Sequence, residues 1–591
     1  MRVRRILVGL AIAAASVAGC AERDDPEVPF YPAEADTETE TETESYAGTD
    51  SECPPDYTDP LGRCIRYVRF DSENDDGCGF AWETAFQDLQ EGIEAAYAAA
   101  QVLGSCSVWV AEGTYRAWEN DPLDTFKLHP QIEVYGGFAG DEHYLYQRDP
   151  EAHPAVLEGR QQDGNERVYH VVMGASDSRL DGFVVRGGNA VGESPHHRGG
   201  GIYLNAASTS IANCRLVDNA AYDGGAVFVY DSIPSFVATT FSGNRAERGG
   251  AVYVLNGLPA FERATFEDNR AGQHGGALYL EKMYSACLPT FLETEIRQNE
   301  ALGEGGGLFN NGCSPEIHDS IVEENTAQAS GGGIATYRGE LVMADTALSR
   351  NSSELDGGGM FVRFSDMELS RCSIESNRAE LDGGGAMIEL TEGSLSACDL
   401  SANLAGRNGG GVAVSYGGPR LLSTLVVGNI AASGGGMYDG TRAEPRLVNT
   451  VFSGNLAQRG GGIYNAELAE PEVTNCILWG DEGGEIHDEL GSEPVVSYSD
   501  VEGGYPGQGN IDQQPWFVDA GHWDDGGTSD EPSDDKWVDG DYRLQQLSPC
   551  IDVGDEEAAP MHDADGNCWT DLEGTGNPGV TADIGAYDYR P

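Results

Sequence analysis

From Gly199 to Tyr464 the chain alternates short apolar stretches with polar corners in one recurring order. An apolar residue is followed three positions later by asparagine, then by a few polar residues, a glycine pair and a second apolar stretch. The asparagines are Asn219, Asn244, Asn269, Asn299, Asn325, Asn351, Asn377, Asn403, Asn429 and Asn455, separated by 25, 25, 30 and then 26 residues throughout. So constant a period means one stacked unit per repeat, not a globular domain. The longer step places an insertion near Lys282 to Leu288.

Three residues before each asparagine stands Leu216, Phe241, Phe266, Ile296, Val322, Leu348, Ile374, Leu400, Val426 or Phe452. Two residues earlier the side chain is small, as in Cys214, Thr239, Thr346 and Thr450. A spacing of two predicts a strand with one inward face. Ile202 and Leu204, Val227 and Val229, and Val252 and Val254 alternate likewise after the glycines. Helical periodicity is scarce. The pattern predicts an all-β fold, a parallel β-helix solenoid with about 25–26 residues per coil and two or three strands per turn. Asparagine at a corner tolerates left-handed backbone and can bond its neighbours along a stack of about 4.8 Å spacing. Glycine pairs supply sharp turns and close approach of coils.

Five segments follow from the pattern: 1–20 a signal peptide, 21–64 an acidic Thr/Glu-rich tether, 65–188 an N-terminal cap with irregular first coils, 189–480 the regular repeats, and 481–591 a C-terminal capping region. An open solenoid end exposes unpaired strand edges. The stretch Trp82 to Val102, with Phe86, Leu89, Ile93 and Tyr97 near one face, predicts a helix that covers it.

Met1-Arg2-Val3-Arg4-Arg5 is a basic leader, and the apolar run Ile6 to Ala15 is too short to span a bilayer, which takes roughly 20 residues. The following Val17-Ala18-Gly19-Cys20 resembles a lipobox, which implies acylation at Cys20 and membrane attachment through lipid alone. Ala21 rather than aspartate follows, so the expected address is the outer membrane, at the cell surface or periplasmic face. The low-complexity run Asp36 to Ser45 reads as an extended, solvated tether. With 98 acidic against 35 basic residues the net charge is −63, which argues against nucleic acid as a partner.

Twelve cysteines follow Cys20, an even number that suits disulfides in an exported chain. Cys287 and Cys313 stand one period apart, as do Cys372 and Cys398, so each pair stacks within disulfide reach. Cys372 and Cys398 occupy the small inward slot, and two packed thiols are the alternative there. Cys214 and Cys476 share that slot without a stacked partner and are expected buried and free. Cys53–Cys64, Cys78–Cys106 and Cys550–Cys568 are candidate local bridges.

The fragments WETAFQDLQEGIEAA, VWVAEGTY, VYGGFAG and LDGFVVRGGNA resemble those of right-handed parallel β-helix repeat proteins of the pectin-lyase-like superfamily. The repeats resemble the GG[AGI] and FxxN units of polymorphic outer-membrane proteins. NCILWG, VSYSDVEGGYPGQGNID, SPCIDVGD and DIGAYDY resemble a choice-of-anchor-type C-terminal region. The match runs from about Arg66 to Tyr589 and lacks an autotransporter barrel. Its implication is a right-handed helix; most members have no established activity.

Catalytic constellations are sparse. Gln273-His274-Gly275-Gly276 lacks the paired aspartates of a polygalacturonase, and Arg245, Arg270 and Arg297 flank the asparagines without a clustered calcium set. A more suggestive feature is the middle residue after the glycines: Tyr203, Phe228, Tyr253, Tyr279, Phe309, Phe361, Tyr438 and Tyr464, broken by Ala335, Met387 and Ala413. Alternation points it outward, as an exposed ladder for stacking sugar rings or docking a protein. Asp563, Asp565 and Asn567, with Asp571 following, resemble part of a calcium loop. The reading is a non-catalytic adhesion or glycan-binding scaffold at the cell surface, whose partner is a polysaccharide or a surface protein. The alternatives are a lyase or glycosidase of acidic polysaccharide and a purely structural envelope protein.

Overall fold

The computed structural model describes residues 54–72, 78–164, 166–524, 536–567, 569 and 582–590. Cys20, tether residues 21–53 with Cys53, Cys568 and Asp571 lie outside the described residues. The chain coils into a parallel β-helix. Each coil contributes, in order, strands such as Ser210–Ala212, Arg215–Val217, Ala220–Ala221 and Val227–Ser232 to four sheets. Among the described residues the first sheet stacks 16 strands, the second 15, the short corner sheet 9 and the fourth 14. Register is strict: Leu216 lies beside Phe241 and Phe241 beside Phe266. Phe236, Phe261 and Phe291 rise in line on the neighbouring sheet, stacked 4.9 and 5.0 Å apart. These side chains form one continuous core along the axis.

The corner between the second and short sheets carries the asparagines. Left-handed backbone falls on the residue before each one, among them Asp218 (φ 54°), Asp268 (φ 55°), Glu324 (φ 55°) and Arg350 (φ 54°), and not on asparagine itself. Asparagine is there for its side chain. Asn351 is wholly buried; its Nδ2 donates to the Val322 carbonyl (2.8 Å) and to Asn377 Oδ1 (3.0 Å). Its Oδ1 accepts from the backbone N–H (3.1 Å) and Nδ2 (3.0 Å) of Asn325. The pattern holds from Asn219 to Asn455, where Asp481 Oδ1 accepts the last pair of bonds at 2.7 and 2.9 Å. The small inward slot carries a second ladder: Thr346 Oγ1 donates to the Ala344 carbonyl (2.9 Å) and Thr450 Oγ1 to that of Val448 (3.4 Å).

Four cysteines copy those threonines. Cys214, Cys372, Cys398 and Cys476 are buried and free, each thiol turned to the carbonyl two residues back. The expected Cys372–Cys398 bridge is therefore replaced by its alternative, two packed thiols. Cys287 and Cys313 are joined, with S–S 2.04 Å, and tie the inserted loop to the next coil. Cys64 pairs with Cys106 instead of Cys53. They flank the registered pair Ile65 and Ser107 on adjacent first-sheet strands, separated in sequence by the helix between them. Cys78 is also disulfide-bonded, but not to Cys106. Cys550 is a buried free thiol that meets Asp500 Oδ2 at 3.2 Å, so it makes no bridge to Cys568.

The capping helix is shorter than the pattern suggests. Helix α1 spans Leu89–Leu103, and Trp82–Thr84 is a separate 3₁₀ turn. Asp88 accepts the Glu91 N–H (2.9 Å) and so sets the first turn, while Gly104 ends the helix in left-handed backbone. Leu89, Ile93, Ala96 and Ala99 face the first coils. No helix among the described residues is long and apolar enough to cross a membrane.

At the other end the coils continue to Asp500–Val501, after which the chain folds back along the solenoid. Two antiparallel pairs, Phe517–Asp519 with Asp541–Leu544 and His522–Asp524 with Lys536–Val538, form there. Outward position Val427 is apolar where earlier coils carry Ser242, Glu267 and Arg297, Val451 and Ile477 are apolar where they carry Thr240, Thr265 and Glu295, and all three join Phe517, Tyr542 and Ile584 in a second core. Gly428 and Gly454 replace the polar left-handed corner residue, and a Cβ on either would fall 2.2 Å from the Trp537 indole.

Truncating Asn351 to alanine orphans the backbone N–H of Asn325 and one of its two amide hydrogens in a buried corner, the other staying on the Ile296 carbonyl, at about 1–3 kcal/mol for each bond left unmade. The expected loss is about 3 kcal/mol in denaturant unfolding. A midpoint no lower than that of the exposed control Glu354→Ala would show that the ladder contributes little.

Candidate functional site

The aromatic ladder exists but is not exposed. Tyr203, Phe228, Tyr253 and Tyr279 stack with centroids 5.7, 5.6 and 4.9 Å apart, in a cluster separate from the axial core. Phe309, Phe361 and Tyr464 are buried as well, and Tyr438 is half-buried. Four of these rings are covered by a residue that stands just before a glycine pair. Arg198 lies 4.9 Å over Phe228, Arg248 5.0 Å over Tyr253, His274 4.7 Å over Phe309 and Arg459 5.1 Å over Tyr464. Asp223, with no exposed surface, bonds both Arg198 (3.4 Å) and Arg248 (2.9 Å). Rings expected to meet a ligand are instead covered by three arginines and a histidine, two of the arginines being locked by the Asp223 ion pair.

The other nominated residues are committed to structure. Arg270 pairs with Glu300 at 3.1 Å and Arg297 with Glu267 at 2.7 Å. Arg245 stacks beside Arg270. His274 Nδ1 accepts the Glu304 N–H at 3.1 Å. Asp563 accepts from the backbone N–H groups of Asn567 (2.6 Å) and Asp588 (3.3 Å), which closes a turn. Among the described residues no three His, Cys, Asp or Glu side chains gather as metal ligands.

Two clefts remain. One, of about 1010 Å³, runs past Tyr146, Arg148, Asn213 and Glu267. Its central Arg148 donates to the Gly136 carbonyl (3.0 Å) and to both the backbone and carboxylate of Asp181 (3.1 and 2.5 Å), which makes it a brace. The other, of about 480 Å³, lies at the C-terminal end between Trp479, Gln514, Trp516, Phe517 and Gln545. Trp479 follows the strand Ile477–Leu478 and donates its N–H to the Phe452 carbonyl at 3.1 Å. Trp516 stands in left-handed backbone (φ 54°), an unusual conformation for so bulky a residue. It is held by the Gln545 N–H on its carbonyl (2.8 Å), the Gln545 amide on Phe517 (2.6 Å) and Ser548 Oγ on Pro515 (2.5 Å). Trp516 as a residue is 43% exposed. The cleft thus offers open aromatic face flanked by two amide side chains. Its sequence signal was QQPWF followed by YRLQQLSP, legible as loop but not as a pocket, because the two segments meet only through the antiparallel pair.

Comparison with known proteins adds an outline. Residues 84–271 match a family model described as a protein of unknown function (DUF1565). The chain is a parallel β-helix protein. Solved structures similar to it include PfbA, a surface adhesin of Streptococcus pneumoniae, at 12% identity over 57% of this chain and 87% of that one, with TM-score 0.31. Pectate lyase Pel9A is 12% identical over 89% and 97%, with TM-score 0.26. The A-module of the Azotobacter vinelandii mannuronan C-5 epimerase AlgE6 is 12% identical over 72% and 96%, with TM-score 0.30. No curated protein matches the chain.

Buried carboxyls gather toward the same end. Burial pushes Asp399 and Asp583 up to about 7 and Asp500 up to about 6, and it raises Asp439 well above the ordinary carboxylate value. The folded state therefore holds protons that the unfolded chain releases above pH 4. That stabilisation is complete below the unfolded value near 3.8 and declines as pH rises through 7. His170, which burial lowers to about 4, opposes it below pH 6.5, and Asp181, held low despite burial by Asn213, Arg148 and Arg179, matters only near pH 4. The melting temperature is expected to rise by several degrees from pH 8.5 to pH 6, and Asp399→Asn to flatten part of that slope; a flat or falling profile would contradict the assignment.

Proposed function

We propose that this chain is a cell-surface β-helix scaffold, attached through lipid at Cys20, that holds a neutral glycan in the Trp479–Trp516 cleft and catalyses no reaction on it. The supporting observation is Trp516 itself, a bulky side chain pinned in uncommon backbone yet left 43% exposed beside a second tryptophan. Indole faces stack on sugar C–H surfaces, while the amides of Gln514 and Gln545 suit hydroxyl groups. A charge of −63 repels uronic-acid polymers, so a neutral ligand fits better than the acidic polysaccharides of the alternative reading. The cleft also lacks a pair of carboxyl groups facing across it, which glycoside hydrolysis requires.

The test is retention of the full chain on immobilised neutral and acidic polysaccharides, with Trp516→Ala as the comparison. Retention on a neutral glycan that falls about tenfold in the variant is the expected result, a loss in the range of one aromatic contact. Retention unchanged by Trp516→Ala, or shortening of any polysaccharide over a day, would overturn the proposal.

A further inference from the structure

Away from that cleft, three histidines meet at the start of the regular coils. His170 precedes the strand Val172–Met173, and His196 and His197 lie on the loop between Asn189–Ala190 and Ile202–Asn205. His170 is almost fully buried, and its Nδ1 faces the Gly199 carbonyl at 2.9 Å. A carbonyl only accepts, so the ring proton is on Nδ1 and the lone pair on Nε2. That lone pair faces His196 Nδ1 at 3.3 Å. The His196 ring is set from its other side by Tyr169, at 5.4 Å between centroids and 22° between planes. Its loop is closed by the His196 N–H on Glu193 O (2.7 Å) and the Gly192 N–H on His196 O (3.0 Å). Both rings are thus oriented by groups other than each other.

We propose that His170 Nε2 and His196 Nδ1 form a two-histidine site for a borderline divalent cation of the zinc or copper(II) kind. Two imidazoles on one tetrahedral zinc, each at about 2.0–2.1 Å, have their nitrogens about 3.3 Å apart, the spacing seen here. A metal-binding histidine usually gives its second N–H to a carbonyl or carboxylate, as His170 does to Gly199. His196 is half-buried and borders solvent, so water completes the coordination. The neighbouring guanidinium charges are already taken: Asp223 holds Arg198 and Arg248 and stands 4.0 Å from His197 Nε2. Nitrogen ligands select against calcium and magnesium, which the acidic surface would otherwise gather.

Titration of the full chain with zinc and with cobalt(II), in excess calcium, reads the site by calorimetry and by the visible cobalt spectrum. One equivalent is expected to bind despite the calcium. His196→Ala, a change on a half-buried loop, should weaken it at least about tenfold, and His170→Gln should match if circular dichroism shows it folded. An unchanged affinity in His196→Ala, or no calcium-resistant binding by the parent chain, overturns the proposal.

Discussion

One amide, repeated, determines what the rest of this molecule can do. Each buried asparagine satisfies a carbonyl of the coil below and two donors of that coil's own asparagine, so no rung is complete until the next coil is in place. The ladder fixes the rise between coils and leaves a one-residue slip in register without partners. Inside it the apolar column only has to fill volume. Leu, Ile, Val and Phe interchange freely along the second sheet while the asparagine does not vary from Asn219 to Asn455.

The outer side is solved by a different device. A β-helix that turned a column of tyrosines and phenylalanines to water would present a sticky stripe. Here Arg198, Arg248, His274 and Arg459, each just before a glycine pair, fold over the ring of their own or a neighbouring coil, and Asp223, which precedes the glycine pair between the first two, joins Arg198 to Arg248. An aromatic surface therefore becomes a second, thinner core. Open aromatic face survives instead at Trp516, where the antiparallel return of the chain holds a loop rigid without covering it.

The period, the inward residues and the stacked Cys287–Cys313 pair were legible because each follows from spacing along one coil. What was not legible depends on which atoms lie opposite across coils or returning segments. Alternation shows that Tyr253 points out of the axial core but cannot show that Arg248 lies over it. The Cys64–Cys106 bridge obeys the one-coil rule once helix α1 is removed from the count. The Trp479–Trp516 cleft and the His170–His196 pair each join segments of unlike pattern, 26 to 37 residues apart, outside the periodic signal. Gly428 and Gly454 leave room for Trp537 at that corner, yet Gly243 holds the same position without it, so glycine alone did not announce the contact.

The Asp481 rung gives the solenoid a direction of growth. A carboxylate accepts from Asn455 as an amide would, yet it has no N–H with which to serve the carbonyl that an amide would reach. Burial raises both Asp481 and its neighbour Glu485, whose carboxyl takes the backbone N–H groups of Gly480 and Asp481. A whole repeat duplicated between Asn325 and Asn429 would find identical partners above and below. The same repeat spliced in after Asp481 would meet a carboxylate where its ladder needs an amide. Gene duplication can thus lengthen this protein from its middle, while its end acts as a stop written in one oxygen atom.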